Sequence, residues 1–319
     1  MKSGHFSIVL AAAMVLVTSP ALLAVPIWEF TFNDNTSGSI AVNTGLDPNA
    51  ANAYLTMRST LGGTGNYRVA DGPSGRPGDY SISAVTSSGI HYADVPGGTA
   101  TGGISGFNQI TISGWYKAIQ PVPMPGQYTR IFLIGNRHLW DEGMVVDFNN
   151  QDLGYNQLGL EINDYYNRFG DGGGDGYAGP VPNNTGVWRF WAIMYDGVPT
   201  SNNVKIYMGT TTAAASLIGT ASISHIPLPE LKLPTNNPTG IIRNADGDFV
   251  VFGNIEWGYS NGLIGYQDNI RIYSSVLTLS QIESIRAGDV PEPATVTLVA
   301  FVALLPLVRR CFRRGRSAS

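Results

Sequence analysis

Asp268 is the carboxylate that most needs a chemical explanation. Counted by twos along Gly265–Tyr273, it shares a face with Ile270 and Ile272, whose side chains belong in a core. A carboxylate at the inward start of a strand is costly to bury alone. Glu29, Asn33 and Asp34, on the first strand and its turn, offer further oxygens. Together Asp268, Glu29, Asn33 and Asp34 make a candidate site for a structural calcium ion, which takes oxygen ligands. The competing reading is an Asp that accepts backbone N–H bonds or pairs with an arginine. Two acidic glycine loops, Asp171-Gly172-Gly173-Gly174-Asp175-Gly176 and Asn244-Ala245-Asp246-Gly247-Asp248, have the makings of metal loops. Neither completes the twelve-residue pattern that ends in a bidentate Glu, and such stretches usually form solvated turns.

A second chemistry surrounds the first of these loops. Tyr165-Tyr166-Asn167-Arg168-Phe169 precedes it and Tyr177 follows. Flat aromatic rings beside Asp, Asn and Arg suit a sugar, whose CH-rich face stacks while its hydroxyls take polar partners. Tyr166, Asp171, Asp175 and Tyr177, joined by Trp257 and Tyr259, form the candidate ligand-binding set, with Trp140 as a further aromatic. Loop aromatics also commonly cover sheet edges. Catalytic constellations are absent: His91, His138 and His225 lack metal-ligand spacing, and no Gly-x-Ser-x-Gly elbow or phosphate-cradling loop occurs. Asp141, Glu142 and Asp147 are too loosely spaced to nominate as an acid/base pair. The reading is a protein that is not an enzyme.

The elements that must position these residues are β-strands. Glycine, asparagine, serine and threonine are abundant, and short β-rich stretches recur between turn residues. Strands are expected at Ile27–Phe32, Tyr80–Val85, Gln109–Lys117, Arg130–Gly135, Met144–Phe148, Gln157–Ile162, Val187–Tyr195, Val204–Met208, Phe249–Gly253 and Gly265–Tyr273. Trp188–Tyr195 is apolar on both faces and belongs in the middle of a packed sheet. So many antiparallel strands in one length point to an all-β, two-sheet sandwich of the jelly-roll kind. One helix is expected behind it. Thr278 caps it, Gln281 completes a capping box and Leu277 staples to Ile282. Leu279, Ile282 and Ile285 face the sandwich, and Gly288 ends the helix.

The two ends of the chain carry delivery chemistry. Met1-Lys2, the apolar stretch from Ile8 to Val17 and the small residues up to Ala24 read as a secretory signal peptide over residues 1–24, with cleavage after Ala21 as the second choice. At the other end Val290-Pro291-Glu292-Pro293 leads into an uncharged run over 294–308 and then a basic tail over 309–316. Arg309, Arg310, Arg313 and Arg314 make the membrane stop and favour the cytoplasmic side. Fifteen residues rise about 22 Å against a hydrocarbon core of about 30 Å, so the span relies on snorkelling arginines and flanking apolar residues. The domain of residues 25–289 is therefore expected to be exported, through an intermediate anchored in the inner membrane.

Charge and cysteine usage narrow the partners. Lys2 and the five tail arginines account for six of the 19 basic residues, while 22 of the 23 acidic residues lie within 25–289, the other being Glu292. The net charge of −4 thus understates an acidic ectodomain. Such a surface lacks the basic stripe that nucleic acid requires. Cys311 is the sole cysteine and sits in the tail, so no disulfide forms within the exported part. Its stability must come from a large apolar core.

Pro291-Glu292-Pro293, the apolar run and the arginine cluster, in that order, closely resemble the PEP-CTERM sorting signal of Gram-negative envelope and biofilm bacteria. The resemblance implies recognition of these three residues by an exosortase, an intramembrane peptidase, after export by the secretion machinery and signal peptidase. It further implies release or transfer to the cell surface or extracellular matrix. A second resemblance runs through Gln109–Lys117, Trp188–Gly197, Asn203–Gly209 and Gly265–Tyr273 with the helix behind. These stretches look like the laminin G-like jelly roll of the concanavalin A-like superfamily. That implies a module that binds glycans, proteins or calcium, and in many relatives a calcium ion sits near the edge that Asp268 would occupy. Laminarinase-type glycosidases on this fold use a Glu-x-Asp-x-x-Glu strand, and Glu161-Ile162-Asn163-Asp164 lacks its third acid. The leading expectation is binding of extracellular polysaccharide or a surface protein. A purely structural matrix component comes second, and a divergent hydrolase or lyase third.

Overall fold

The unbroken apolar run from Phe190 to Tyr195 is explained by a sheet covered on both faces. In the computed structural model of this 319-residue chain, the described residues are 24–34, 38–46, 54–59, 67–83, 91–95, 109–120, 128–134, 144–149, 157–162, 174–179, 181–182, 185–199, 201–222, 249–251 and 263–290. They form β1 (Trp28–Phe30), β2 (Ile40–Val42), β3 (Tyr54–Ser59), β4 (Arg68–Val69), β5 (Ser81–Ser83), β6 (His91–Val95), β7 (Gln109–Ala118) and β8 (Tyr128–Ile134). There follow β9 (Met144–Asn149), β10 (Gln157–Ile162), β11 (Gly174–Ala178), β12 (Arg189–Asp196), β13 (Val204–Thr210), β14 (Ser216–Ala221), β15 (Phe249–Val251), β16 (Gly265–Tyr273) and α1 (Leu279–Asp289).

Two eight-stranded sheets result. The first runs β14-β13-β12-β7-β16-β5-β4, with β1 also pairing β16; the second runs β11-β10-β9-β8-β15-β6-β3-β2. The pairings among these strands are antiparallel. Between the sheets lies one core. Ile110, Ile112, Tyr116, Trp191, Ile193, Ile206, Ile270 and Ile272 from the first sheet meet Met57, Ile131, Val146, Phe148, Leu158 and Leu160 from the second. Tyr116 and Phe148 bridge the layers edge-on, with ring centroids 5.1 Å apart. This is the all-β sandwich that the strand pattern predicts.

The outer face of the first sheet carries a second apolar layer. Trp115, Phe190, Ala192, Met194, Tyr207 and Tyr273 lie there under Leu277, Ile282 and Ile285. Period-two alternation on β12 therefore alternates between two buried faces, which removes the need for polar positions. Helix α1 starts as its sequence demands. Gln281 N donates to Thr278 Oγ1 at 3.3 Å, and Thr278 N donates to Gln281 Oε1 at 2.9 Å. Two expectations for this helix fail. Leu279 is 46% exposed, because the buried stripe runs through Ile282, Ile285 and Arg286 and leaves the first turn outside it. Gly288 lies inside the helix, which continues to Asp289 because that side chain is tied to the sheet.

Strands expected at ten places are present at all ten, Gln157–Ile162 and Gly265–Tyr273 with the expected ends and the other eight with shifted ones. Six more, β2, β3, β4, β6, β11 and β14, are carried by segments without a clear apolar pattern. The Gly-Asp-Gly of β11 reads as a loop locally, yet its backbone pairs with β10 from Leu158↔Ala178 to Ile162↔Gly174. Pairing through main-chain groups overrides weak side-chain propensity. Among the described residues no helix is long and apolar enough to cross a membrane. The signal-peptide residues 1–23, Pro291, Glu292, Pro293, the run 294–308 and Arg309, Arg310, Arg313 and Arg314 lie outside the described residues.

Candidate metal centre

One edge of β16 is shared by two strands, and the seam between them holds the site. β5 pairs at Tyr266 and Gln267, β1 pairs at Ile270, Arg271 and Ile272, and Asp268-Asn269 falls between. Along the other edge β7 pairs Asp268 with Trp115 but Arg271 with Ser113, so β16 carries one extra residue there. That residue set is a β-bulge, with Asn269 at φ 50°. Asn tolerates this left-handed conformation better than most side chains. The bulge overturns the expected face of Asp268. Counting by twos fails across an inserted residue, so Asp268 shares the side of Trp115 while Ile270 and Ile272 enter the core between the sheets.

Asp268 is nonetheless completely buried. Its Oδ1 accepts from Asn269 N at 2.7 Å and its Oδ2 from Asn269 Nδ2 at 3.2 Å. Burial holds this carboxyl well above the usual carboxylate range, and the charge of Asp79 pushes it further. The Asn269 N–H opposes that rise, Asp289 adds to it and Arg271 opposes it. Asp79 comes from the loop between β4 and β5. Its Oδ2 accepts from Ser74 N at 2.7 Å, and Asn33 Nδ2 approaches its Oδ1 at 3.5 Å. Asn33 Oδ1 in turn accepts from Tyr80 N at 2.6 Å. A Cβ on Gly72 would fall 2.1 Å from the Asp79 carboxyl carbon, so the loop closes over this acid only with glycine there.

Asn33 approaches Asp79, and Asp79 stands near enough for its charge to act on Asp268, so the hard oxygens of these three are the candidates for calcium. Among the described residues no three Asp, Glu, His or Cys side chains gather into a metal-holding group. Calcium here would rest on two carboxylates, an amide oxygen and backbone or water oxygens. The other two predicted ligands are occupied by arginines. Glu29 Oε1 accepts from Arg271 Nε at 2.6 Å and its Oε2 from Thr44 Oγ1 at 2.9 Å. Asp34 accepts from Arg68 Nη2 at 3.0 Å and from Val42 N at 2.6 Å. The competing reading set out for Asp268, a carboxylate that accepts a backbone N–H, is the contact the structure shows there, from Asn269 N. Asp79 is the residue that sequence reasoning missed. Its signal was present in Asp71-Gly72-Pro73-Ser74-Gly75-Arg76-Pro77-Gly78-Asp79, a glycine-rich acidic loop like those singled out elsewhere.

Arg271 anchors the surrounding structure. It makes a two-pronged bond to Asp289, 2.8 Å on each arm, and Asp289 also accepts from Trp115 Nε1 at 2.8 Å. The last turn of α1 is thereby fastened to the sheet beside the seam. Farther along the same face, Lys117 pairs with Asp71 and lies 5.3 and 4.8 Å from the ring centroids of Trp188 and Tyr266. Trp188 Nε1 donates to Asp71 at 3.1 Å. The ammonium lies over both aromatic rings, so this cluster is a satisfied cation–π clamp.

Of the candidate ligand-binding residues, Tyr166, Asp171, Trp257 and Tyr259 lie outside the described residues. Asp175 and Tyr177 fall on β11, the edge strand of the second sheet, at register positions opposite Glu161 and Gly159. The structure does not bring them to the seam.

No protein-family model matches this chain, and no curated protein matches it. Several solved structures are similar to it. Domain 4 of AbnA, an arabinanase from Geobacillus stearothermophilus in complex with arabinotriose, is 16% identical with a TM-score of 0.47, covering 83% of this chain and 99% of that one. A sialidase CBM40 of Ruminococcus gnavus bound to sialyllactose is 14% identical with a TM-score of 0.38, covering 56% and 83%. The botulinum neurotoxin type C structure, reported with interaction with two ganglioside molecules, is 14% identical with a TM-score of 0.49, covering 83% of this chain and 51% of that one. At these scores the likeness assigns no ligand.

Proposed function

We propose that this protein is an exported, non-enzymatic binding module of the laminin G-like kind, which takes extracellular glycan or a surface protein. Its tail serves as a sorting signal for an exosortase-type peptidase, through Pro291, Glu292 and Pro293. The observation that carries the binding reading is the place of Asp175 and Tyr177. They occupy alternate positions of a sheet edge and adjoin in sequence the aromatic stretch Tyr165–Phe169. An edge strand supplies a rigid base for loop residues that stack on sugar rings and hydrogen-bond their hydroxyls. Calcium at Asp268, Asp79 and Asn33 would brace the seam and neutralise two buried carboxylates; no chemical step is routed through it.

The test is retention of the purified protein on an immobilised panel of bacterial polysaccharides. Tyr166→Ala and Trp257→Ala should abolish retention while circular dichroism stays unchanged. Undiminished retention by both variants would count against the site. Release of reducing ends or unsaturated products from any polysaccharide would replace the binding reading with an enzymatic one.

A further inference from the structure

Strand β2 carries no device of its own against pairing with another chain. It reads Ile40-Ala41-Val42, without charge or proline, and its pairing with β3 runs without a bulge. Sheet edges normally need such devices, because a row of unpaired N–H and C=O groups is a template for association. Ser39 O accepts from Met57 N on β3, so the alternate residues Ile40 and Val42 turn their backbone groups outward. Two side chains from outside the strand take two of these groups. Arg68 Nη2 donates to Ile40 O at 2.5 Å, and Asp34 Oδ2 accepts from Val42 N at 2.6 Å. Arg68 also donates to Phe32 O at 2.7 Å and Gly38 O at 2.6 Å, and its side chain is wholly buried.

The placement of this pair is as telling as its bonds. Arg68 belongs to β4, the last strand of the first sheet, and β2 is the last strand of the second. Among the described residues, the guanidinium therefore links the last strands of the two sheets on one side of the sandwich. On the opposite side β11 and β14 lie against each other and need no such bridge.

We infer that Arg68 and Asp34 form a cap that keeps β2 from pairing with the β2 of a second copy of this chain. The strand is self-complementary. Antiparallel pairing about Ala41 sets Ile40 opposite Val42 twice, and brings Ile40 C=O and Val42 N–H, the two capped groups, into mutual hydrogen bonds. Ile40 and Val42 are 40% and 45% exposed, and would gain an apolar cross-strand contact in that pair. This inference stands without the binding function proposed above.

Sedimentation velocity of the full chain in detergent micelles tests it, over a concentration series, for wild type, Arg68→Met and Asp34→Ala, each with and without Val42→Lys. Near-UV circular dichroism identifies the variants that keep native packing. The uncapped variants should self-associate at least about tenfold more tightly than wild type, and Val42→Lys should return them to the wild-type value by replacing the apolar Ile40–Val42 contact with a charge opposite Ile40. Association through the tail is common to all variants and cancels in the comparison. Natively packed variants with wild-type association overturn the inference, and so does association that survives Val42→Lys. Where Arg68→Met loses native packing, Asp34→Ala decides, because Asp34 is partly at the surface and its loss leaves the core residues in place.

Discussion

Replacing Asp268 by Asn makes a prediction whose sign depends on the cation. The folded carboxyl titrates well above its unfolded value of about 3.9, chiefly through burial. Without a cation, the stability associated with this group is complete below the unfolded pKa. It is lost as pH rises through the window up to the folded pKa, at about 1.4 kcal/mol per unit of separation. In chelator at pH 7, Asp268→Asn should therefore raise the melting temperature, since an amide of the same shape has no proton to lose. Calcium reverses this, because it binds the ionised form. With dissociation constants of about 10⁻⁴ to 10⁻³ M, as in extracellular modules, 10 mM calcium should stabilise the wild type by about 1.4–2.7 kcal/mol. For a domain of this size that is a rise of roughly 3–10 °C. Melting curves by near-UV circular dichroism at pH 5 and pH 8, in chelator and in calcium, read both effects. The wild type should lose stability toward pH 8 in chelator and regain it with calcium, and Asp268→Asn should show neither response. An identical wild-type melt in chelator and calcium at pH 8, with Asp268→Asn the more stable under both, would refute the metal centre.

Two further predictions concern the structure around the site. Arg271→Met leaves Asp289 and Glu29 without a cationic partner, held only by the Trp115 and Thr44 hydrogen bonds. It should cost about 3 kcal/mol in urea unfolding, and a smaller loss when combined with Asp289→Ala than the two singles sum to. Gly114→Ala would put a methyl 2.3 Å from Ile270 Cδ1 and 3.2 Å from the Trp191 indole. The overpacked core should lose about 1–3 kcal/mol, and Ile270→Val, which removes that Cδ1, should restore most of it; failure of that rescue would show that Trp191 sets the limit.

How far the architecture was legible in the residues depends on the kind of signal. Trp188–Tyr195, Gln109–Lys117 and Gly265–Tyr273 announce themselves because β-branched and aromatic residues crowd both faces. The helix is read from Thr278 and Gln281, whose capping bonds are made within four residues of each other. Short edge strands such as Ile40–Val42 and Gly174–Ala178 give no such signal, since main-chain pairing with a neighbour makes them strands. The candidate site was half legible. Of the four expected ligands Asp268, Glu29, Asn33 and Asp34, Glu29 is taken by Arg271 and Asp34 by Arg68, pairings that nothing in the sequence signals.

By itself, then, the order of residues determined the all-β character, the position of the long strands and the start of the helix, because alternation and capping are chemistry between near neighbours. Tertiary structure alone decided where the acids stand. One residue inserted at Asn269 turns Asp268 to the other face of its strand, and this bulge exists only in the register between β16 and β7. Two strands sharing one edge of β16 then open the seam into which Asp79 is carried by its loop. A register offset and a shared edge are properties of paired strands, and no single segment encodes either.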